Sequence, residues 1–235
     1  MMQDTTMLTI SETWKTTYPD AGVGILAMRG VANPERHAAL EERKAALETS
    51  LRTRFAGQDK ASLKALPEIE AYTAYYKRFK KTYHLLLQLE SVALKGKPIP
   101  RVAALVEAMF VAELDDLLLT AGHDLAKITP PIQLDVADGT ERFVNIAGQE
   151  KVLKPGDMYI AHAEGVLSSI IYGSDQQTMI TAGTTQALFT TYGPAGIDPQ
   201  AVRQHLVHIQ EYVNLIAPQA EVIALTVYPA GSPAS

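Results

Sequence analysis

Apolar residues recur at helical spacing through the first half of the chain. An apolar run at residues 22–28 predicts a strand that ends before Asn33. Asn33 followed by Pro34 is typical of a helix start, because asparagine can cap free N–H groups and proline suits the first helical position. This helix is expected to run to about Phe55, with leucines on one face and charges on the other.

Three more helices are predicted by the same spacing. From Pro67, apolar and aromatic residues alternate at intervals of three and four, which forms a seam that must face a partner surface. The seam consists of Ile69, Tyr72, Tyr76, Phe79 and Tyr83. A third helix is predicted at residues 85–94, and a fourth at about residues 101–119 that stops at Gly122.

The hydrophobic period changes from helix to strand after Gly122. Residues 132–137 alternate toward Asp138-Gly139, a pair typical of hairpins, and residues 143–146 are the expected partner strand. Further strands are predicted at residues 158–161, 166–172, 187–192 and 221–228, with a helix capped by Asp198 before the last of them. Helices first and strands later predict an α+β fold, and we expect a single domain over residues 1–235.

The composition of the chain excludes several kinds of chemistry. Its 235 residues include no cysteine, which removes disulfides, thiolate metal sites and cysteine nucleophiles. None of the six histidines has a metal-ligand spacing, so neither a metal nor another cofactor is expected. We see no signal-peptide pattern and no run of ~20 apolar residues, so we expect a cytoplasmic protein without a membrane helix. The net charge of −5 argues against indiscriminate binding of nucleic acid but permits a local basic face.

The stretch between residues 77 and 101 is strongly basic. Its only acid is Glu90, and its cations are Lys77, Arg78, Lys80, Lys81, Lys95, Lys97 and Arg101. Such a cluster could contact the phosphates of an RNA backbone without reading its sequence. A solvated polar face opposite the aromatic seam explains the same composition.

Two short segments carry ionisable side chains that could take part in chemistry. His123 and Asp124, at the predicted end of the fourth helix, are a candidate general base and its orienting carboxylate, although the helix dipole also favours a histidine there. After Tyr172, the turn places Gly173, Ser174 and Asp175 at the end of an apolar strand. Turn chemistry alone also explains that composition.

Several ordered segments resemble a known family. LKGKPIPR at residues 94–101, GHDLAK at residues 122–127, IYGSD at residues 171–175 and TTQALF at residues 184–189 resemble the B3/B4 domain. That domain carries the editing pocket in the beta subunit of phenylalanyl-tRNA synthetase. The similarity spans about residues 68–195, and the segments outside it fit stand-alone members of the family. It implies a three-layer fold with an unusual β-sandwich and a pocket between its halves.

The resemblance also places the polar lining of the editing pocket on this sequence. The family's threonine–asparagine pair falls at Met109 and Phe110, its histidine at Ala121, and the glutamate that receives the substrate hydroxyl at Thr190, while the pocket glycine is kept as Gly173. A pocket here is therefore expected to be more apolar and to have lost tyrosine-specific editing in its known form. The pocket candidates are Met109, Phe110, Ala121, His123, Gly173, Ser174, Asp175 and Thr190.

The sequence leaves three functions open. The resemblance favours a trans-acting protein that binds tRNA or aminoacyl-tRNA and, if it is an enzyme, hydrolyses a mischarged aminoacyl ester. The loss of polar lining favours instead a non-catalytic module that binds a free amino acid or a related small metabolite. A purely structural partner protein is neither supported nor excluded.

Overall fold

Seven α-helices and eleven strands make up residues 7–229, the part of the chain that the computed structural model describes. The helices are α1 (Glu12–Thr17), α2 (Ala38–Arg54), α3 (Lys60–Lys64), α4 (Pro67–Arg78), α5 (His84–Leu89), α6 (Ala104–Asp116) and α7 (Pro199–Ile216). Helix α5 continues into a π-helical turn at Glu90–Leu94, and a 3-10 turn lies at Leu125–Lys127. The strands are β1 (Leu8–Ile10), β2 (Gly22–Arg29), β3 (Thr120–Asp124), β4 (Ile132–Val136), β5 (Arg142–Val144), β6 (Glu150–Val152), β7 (Met158–His162), β8 (Gly165–Ser169), β9 (Gly173–Ser174), β10 (Gln186–Gly193) and β11 (Glu221–Pro229).

The strands form two large sheets and one small ribbon. One sheet has the order β1-β4-β7-β8-β9, the second has the order β11-β2-β10-β3, and β5 pairs with β6. Strand β1 runs parallel to β4, and the other pairings in the described residues are antiparallel. Helices combined with mixed and antiparallel sheets confirm the predicted α+β fold class.

The large sheets and the helices are stacked in three layers, as the resemblance predicted. Successive side chains of a strand point to opposite faces of its sheet. On β10, the Tyr192 hydroxyl lies 2.8 Å from Oγ of Ser168 on β8. The neighbouring Thr191 hydroxyl lies 3.0 Å from Oγ1 of Thr120, which in turn lies 2.6 Å from Nε2 of His205 on α7. The four-stranded sheet therefore lies between the five-stranded sheet and helix α7.

Helix α7 begins and packs as its sequence predicts. The Asp198 carboxylate accepts a 2.8 Å hydrogen bond from the backbone N–H of Gln200, and Pro199 occupies the first turn. Its inward-facing residues, all buried, are Val202, Leu206, Ile209 and Val213. The predicted strand after it is also present, as β11.

Helix α4 lies against the ends of both large sheets through the predicted aromatic seam, whose five members are all buried. The Tyr76 hydroxyl donates a 2.6 Å hydrogen bond to the carbonyl of Ile170, just after β8. The Tyr72 hydroxyl accepts a 3.0 Å hydrogen bond from the N–H of Leu119, just before β3. These contacts fix the positions of the two chain segments between which a cavity opens.

The predicted helix start at Asn33 is wrong. Helix α2 begins at Ala38, and Asn33 is buried in the loop before it. Its side-chain oxygen accepts a 2.9 Å hydrogen bond from the N–H of Leu105, and its side-chain nitrogen donates a 3.0 Å bond to the carbonyl of Thr181. Asn33 therefore joins two distant segments instead of capping its own helix.

The predicted extent of the fourth helix is also wrong. Helix α6 ends at Asp116, and Leu117 adopts a left-handed conformation with φ 61°. Residues 120–124 form strand β3, which pairs with β10. Alternate N–H and C=O groups of this segment are satisfied by β10, a pairing that local helical spacing does not reveal.

The predicted hairpin at Asp138-Gly139 does not form. Strand β4 lies between β1 and β7, whereas β5 pairs with β6 in the separate ribbon. Gly139 does adopt the positive φ, 102°, that a turn requires. The turn therefore leads the chain out of one sheet and into another.

Candidate functional site

A cavity of about 400 Å³ opens between helix α6, the edge strand β3 and the chain segment that joins β8 to β9. Helix α6 contributes Val106, Met109 and Phe110 to its wall, and strand β3 contributes Ala121 and Gly122. Most of the other lining side chains are apolar, among them Ile146, Ile170, Ile171, Met179 and Ile180. A mainly apolar concavity of this size is typical of a site for a small organic group.

The eight pocket candidates fall into two groups. The cavity is lined by Met109, Phe110, Ala121, Gly173 and Ser174. The other three, His123, Asp175 and Thr190, are buried and lie outside its lining. Strand β3 carries one residue of each group. Ala121, which lines the cavity, and His123, which does not, are two residues apart and therefore point to the same face of the sheet.

His123 is not at an exposed helix end, as the sequence had predicted, but fully buried on strand β3. Its Nδ1 atom lies 2.8 Å from Oγ1 of Thr178 and 3.6 Å from Oδ1 of Asp175, whereas Nε2 has no hydrogen-bond partner among the described residues. Burial alone would raise the pKa of Asp175, but hydrogen bonds from His123 and Thr178 lower it below its ordinary value. The predicted pairing of His123 with its neighbour Asp124 is therefore replaced by one with Asp175.

Thr190 supports the cavity wall without reaching its surface. It is fully buried on β10, and its hydroxyl donates a 3.5 Å hydrogen bond to the carbonyl of Ala121. Ala121 lines the cavity. Thr190 can therefore influence a ligand through the position of strand β3.

Sequence reasoning missed two ionisable residues in the cavity wall, His84 and Glu113. Glu113 lies on α6 with a 3% exposed surface, and burial raises its pKa to about 8. The backbone N–H of Thr120 donates a 2.8 Å hydrogen bond to its Oε1 atom. At neutral pH most Glu113 side chains are therefore protonated and can donate a hydrogen bond. The available signal was a glutamate, one of two on this helix, among apolar residues.

The free edge of β3 offers backbone groups to the cavity. The N–H of Thr120 donates to Glu113, and that of Asp124 donates to the carbonyl of Thr178 at 2.6 Å, so both point away from β10. Backbone groups alternate in direction along an antiparallel strand. Gly122 lines the cavity and lies midway between Thr120 and Asp124 on β3. Its N–H and C=O groups therefore also point away from β10.

Two cations lie close to an aromatic residue of the cavity wall. Tyr172 lines the cavity, and the centroid of its ring lies 5.5 Å from Nζ of Lys81 and 6.0 Å from Nζ of Lys151. An ammonium group at this distance from an aromatic face is attracted to it. Tyr172 therefore holds two cations beside the cavity.

Besides Lys81, which lies over the Tyr172 ring, three members of the basic stretch have partners within the protein. Lys95 forms a 2.7 Å ion pair with Glu90, and Arg101 lies 3.6 Å from Glu41. The Arg78 guanidinium stacks over the rings of Tyr18, Tyr75 and Phe79. These three cations are less available to an external phosphate than the others.

The remaining four cations of the stretch, Lys77, Lys80, Lys81 and Lys97, are exposed, and none forms an ion pair within residues 7–229. Lys77 and Lys81 line a second cavity beside helix α4. The stretch is thus divided between internal contacts and a free face. Its contact with RNA phosphates stays a prediction.

No group of three or more metal-binding side chains that could hold an ion occurs among the residues that the structure describes. Within the same range, none of the helices is both long and apolar enough to cross a membrane.

A family model for the B3/4 domain matches residues 70–214. The chain belongs to the B3/4 domain family. The match confirms the resemblance seen in the sequence, and it includes strand β10 and most of helix α7.

The B3/4 domain was also compared with solved structures and with curated proteins. It matches the crystal structure of an N-terminal fragment of the phenylalanyl-tRNA synthetase beta subunit from Pyrococcus horikoshii with 13% sequence identity and a TM-score of 0.48. The alignment covers 96% of this chain and 50% of that fragment, so the chain spans half the length of its neighbour. Among curated proteins, no sequence matches this B3/4 domain.

Proposed function

We propose that this B3/4 domain binds the aminoacyl end of an aminoacyl-tRNA, with the amino-acid side chain in the apolar cavity. The observation that carries the proposal is the combination of that cavity with two cations close to it, Lys81 and Lys151, which lie over the ring of the lining residue Tyr172. An aminoacyl-tRNA presents an amino-acid side chain next to a ribose and its phosphates. The apolar wall suits the first part and the two ammonium groups suit the second.

The positions at which the family has its polar side chains favour apolar amino acids as the ligand. Met109, Phe110 and Ala121 offer no strong hydrogen-bond partner to a substrate hydroxyl. These positions therefore do not recognise a hydroxyl, because strong discrimination needs a buried partner. The backbone edge at Gly122 is suited to the amino and carbonyl groups that all amino acids share.

Hydrolysis of a mischarged ester in trans is the chemical part of the proposal. Water attacks the ester carbonyl carbon, the bond between that carbon and the ribose oxygen breaks, and the ribose oxygen takes up a proton. The products are a free amino acid and an uncharged tRNA. Glu113, largely protonated at neutral pH, is the candidate donor of that proton.

The proposal is tested by incubating the protein with a panel of mischarged tRNAs and following deacylation and binding. Val106→Trp, which fills the cavity from α6, should weaken both by at least about tenfold. Val102→Trp is the matched control, since Val102 is 41% exposed and lies outside the cavity lining. If the wild type neither deacylates nor distinguishes charged from uncharged tRNA, the proposal is wrong.

A second candidate is a binding module that holds a free amino acid or a related metabolite without chemistry. The observation that favours it is the mainly apolar lining of the cavity. Of the described residues that line it, only Glu113 carries a carboxyl group. A thermal-shift screen separates the two, because a specific ligand raises the melting temperature by mass action. A shift with free amino acids that Val106→Trp abolishes, without any deacylation, would favour this candidate.

A further inference from the structure

Lys81, which contacts Tyr172 in the wall of the first cavity, also lines a second cavity of about 600 Å³. It is formed by α4, the turn after it and the start of α5, with Lys64 from α3 at its edge. Its lining includes three lysines, Lys64, Lys77 and Lys81, against a single acid, Glu70. The cavity therefore carries an excess of positive charge.

The charge of this cavity is not neutralised within the protein. None of the three lysines forms an ion pair in the described part of the chain, and all three are exposed. The hydroxyl oxygen of Thr73, which also lines the cavity, is buried and has no hydrogen-bond partner there either. Three ammonium groups and a hydroxyl are hydrogen-bond donors for which the described residues supply no acceptor. A phosphate group, whose oxygens are acceptors, would complement them.

The backbone turn after α4 places Lys81 between the two cavities. Lys80 adopts a left-handed conformation with φ 56°, and the N–H of Lys81 donates a 3.1 Å hydrogen bond to the carbonyl of Tyr76. The chain thereby folds back against its own helix. Lys81 lines the second cavity, while its Nζ atom lies over the ring of Tyr172, which lines the first.

We infer that the second cavity is an anion site that holds a backbone phosphate of the RNA strand whose end enters the first cavity. The inference rests on the proposed function, since it takes the first cavity to hold the aminoacyl end. Lys81 lines the second cavity and contacts Tyr172 in the wall of the first, whereas Lys64 and Lys77 line the second alone. A strand running from one cavity to the other passes Lys81.

The test uses the double variant Lys64→Gln/Lys77→Gln, which leaves the first cavity untouched. The affinity for tRNA is measured as a function of salt concentration. Each lost phosphate contact reduces the slope of log affinity against log salt by about 0.7 for a single strand or about 0.9 for a duplex. The expected result is therefore a slope that is smaller by about 0.7 to 0.9, with a binding loss of at least about tenfold at low salt.

The matched control is Lys127→Gln/Arg203→Gln. Both cations are exposed, have no ion pair within residues 7–229, lie outside both cavities and lie outside the basic stretch. This double variant should keep a slope close to that of the wild type. Equal slopes for the two double variants would overturn the inference.

Failure of the inference can be told apart from failure of the proposed function. If Lys64→Gln/Lys77→Gln reduces the slope while the wild type ignores the aminoacyl group, the phosphate site stands and the aminoacyl proposal fails. If deacylation is present and the slope does not change, the reverse holds. Inorganic phosphate, titrated in a thermal-shift assay, is the third arm: stabilisation that needs Lys64 and Lys77, without any binding of tRNA, would overturn RNA as the source of the phosphate.

Discussion

The backbone N–H of Thr120 donates a 2.8 Å hydrogen bond to Oε1 of Glu113, and this bond joins the edge of strand β3 to helix α6 at the cavity wall. The bond lowers the pKa of Glu113, but burial raises it by more, to about 8. Folding therefore moves this carboxyl from an ordinary pKa of 4.5 to one above neutrality. The free energy of unfolding must depend on pH as a result.

The first prediction concerns Glu113→Gln. Because the folded pKa is raised, the stability that Glu113 contributes to the wild type is fully present below pH 4.5 and is lost as the pH rises through about 8. Glutamine keeps an oxygen that can accept from Thr120 and does not titrate. The variant should therefore gain on the order of 2 to 5 kcal/mol relative to wild type at pH 9 and little at pH 4.

Urea unfolding at several pH values measures this difference, and Glu164→Gln, at an exposed position, is the control. Glu113→Gln and wild type should converge at acid pH. A constant difference between them over the whole range would mean that Glu113 does not titrate as described.

Those parts of the fold with local sequence signals could be predicted. Helix α7 has an aspartate cap at Asp198, a proline in its first turn and apolar residues on one face, and all three features act within the helix itself. The aromatic seam of α4 could likewise be predicted, since the spacing of its side chains shows that they are buried, whichever surface packs against them.

Strand β3 could not be predicted because its structure depends on distant residues. Thr120 pairs with Thr191, and His123 pairs with Leu188, both more than sixty residues further along the chain. Without that pairing, the segment looks like the continuation of an apolar helix. Tertiary pairing overrides local propensity here.

Some residues of the candidate site could likewise be predicted from the sequence, and others could not. Met109, Phe110 and Ala121 were located through the family resemblance, which carries spatial information that a periodicity does not. Glu113 and Lys151 were missed because burial of a carboxyl group and the approach of a lysine to Tyr172 are tertiary facts. The second cavity combines Lys64 of α3 with two lysines at the end of α4, and no sequence spacing indicates that they meet.

The second prediction concerns a buried ion pair between Lys44 and Glu107. The Lys44 Nζ atom lies 2.8 Å from Oε2 of Glu107, and each side chain is 4% exposed. Oε1 of Glu107 accepts a 2.8 Å hydrogen bond from the N–H of Val102. Lys44→Met removes the cation and leaves a buried carboxylate without it, which should cost about 3 to 5 kcal/mol.

The double variant Lys44→Met/Glu107→Gln is the control for that cost. It removes the unpaired charge and keeps an acceptor for Val102, so it should recover part of the lost stability. Chemical denaturation of the wild type and the variants gives the comparison. A double variant that is less stable than Lys44→Met would argue against an uncompensated charge as the cause.

The third prediction concerns Asp116, which joins α6 to α7. Its carboxylate accepts from His205 at 2.8 Å and from His208 at 2.9 Å. Burial alone would raise the pKa of Asp116, but the two histidines lower it below 3.8. The stability that this carboxylate contributes is therefore present above pH 3.8 and is lost as the pH falls through the lowered pKa.

Asp116→Asn should accordingly destabilise the protein by about 1 to 3 kcal/mol at pH 6, and the difference from wild type should shrink toward pH 2.5. Asp20→Asn, at an exposed position, is the control. Denaturation at the two pH values measures both. A loss that is equal at pH 6 and pH 2.5 would show that the charge of Asp116 is not its cause.

The last prediction concerns the close approach of helix α7 to strand β2 at Gly24. A Cβ atom added there would lie 2.7 Å from Cγ1 of Val202 and 2.8 Å from Cδ1 of Leu206. Both of these carbon atoms belong to fully buried side chains, so neither can move away without displacing its neighbours in the core. Gly24→Ala should therefore cost about 1 to 3 kcal/mol in free energy of unfolding.

Gly22→Ala provides the matched control on the same strand and the same face. A Cβ atom at Gly22 would come no closer than 3.8 Å to the carbonyl oxygen of Tyr228, an ordinary contact. Alanine there should be neutral or stabilise by up to about 1 kcal/mol, because it restricts the unfolded chain. If both substitutions change the melting temperature equally, the helix is free to shift, and steric contact with Val202 and Leu206 does not set the spacing between α7 and the sheet.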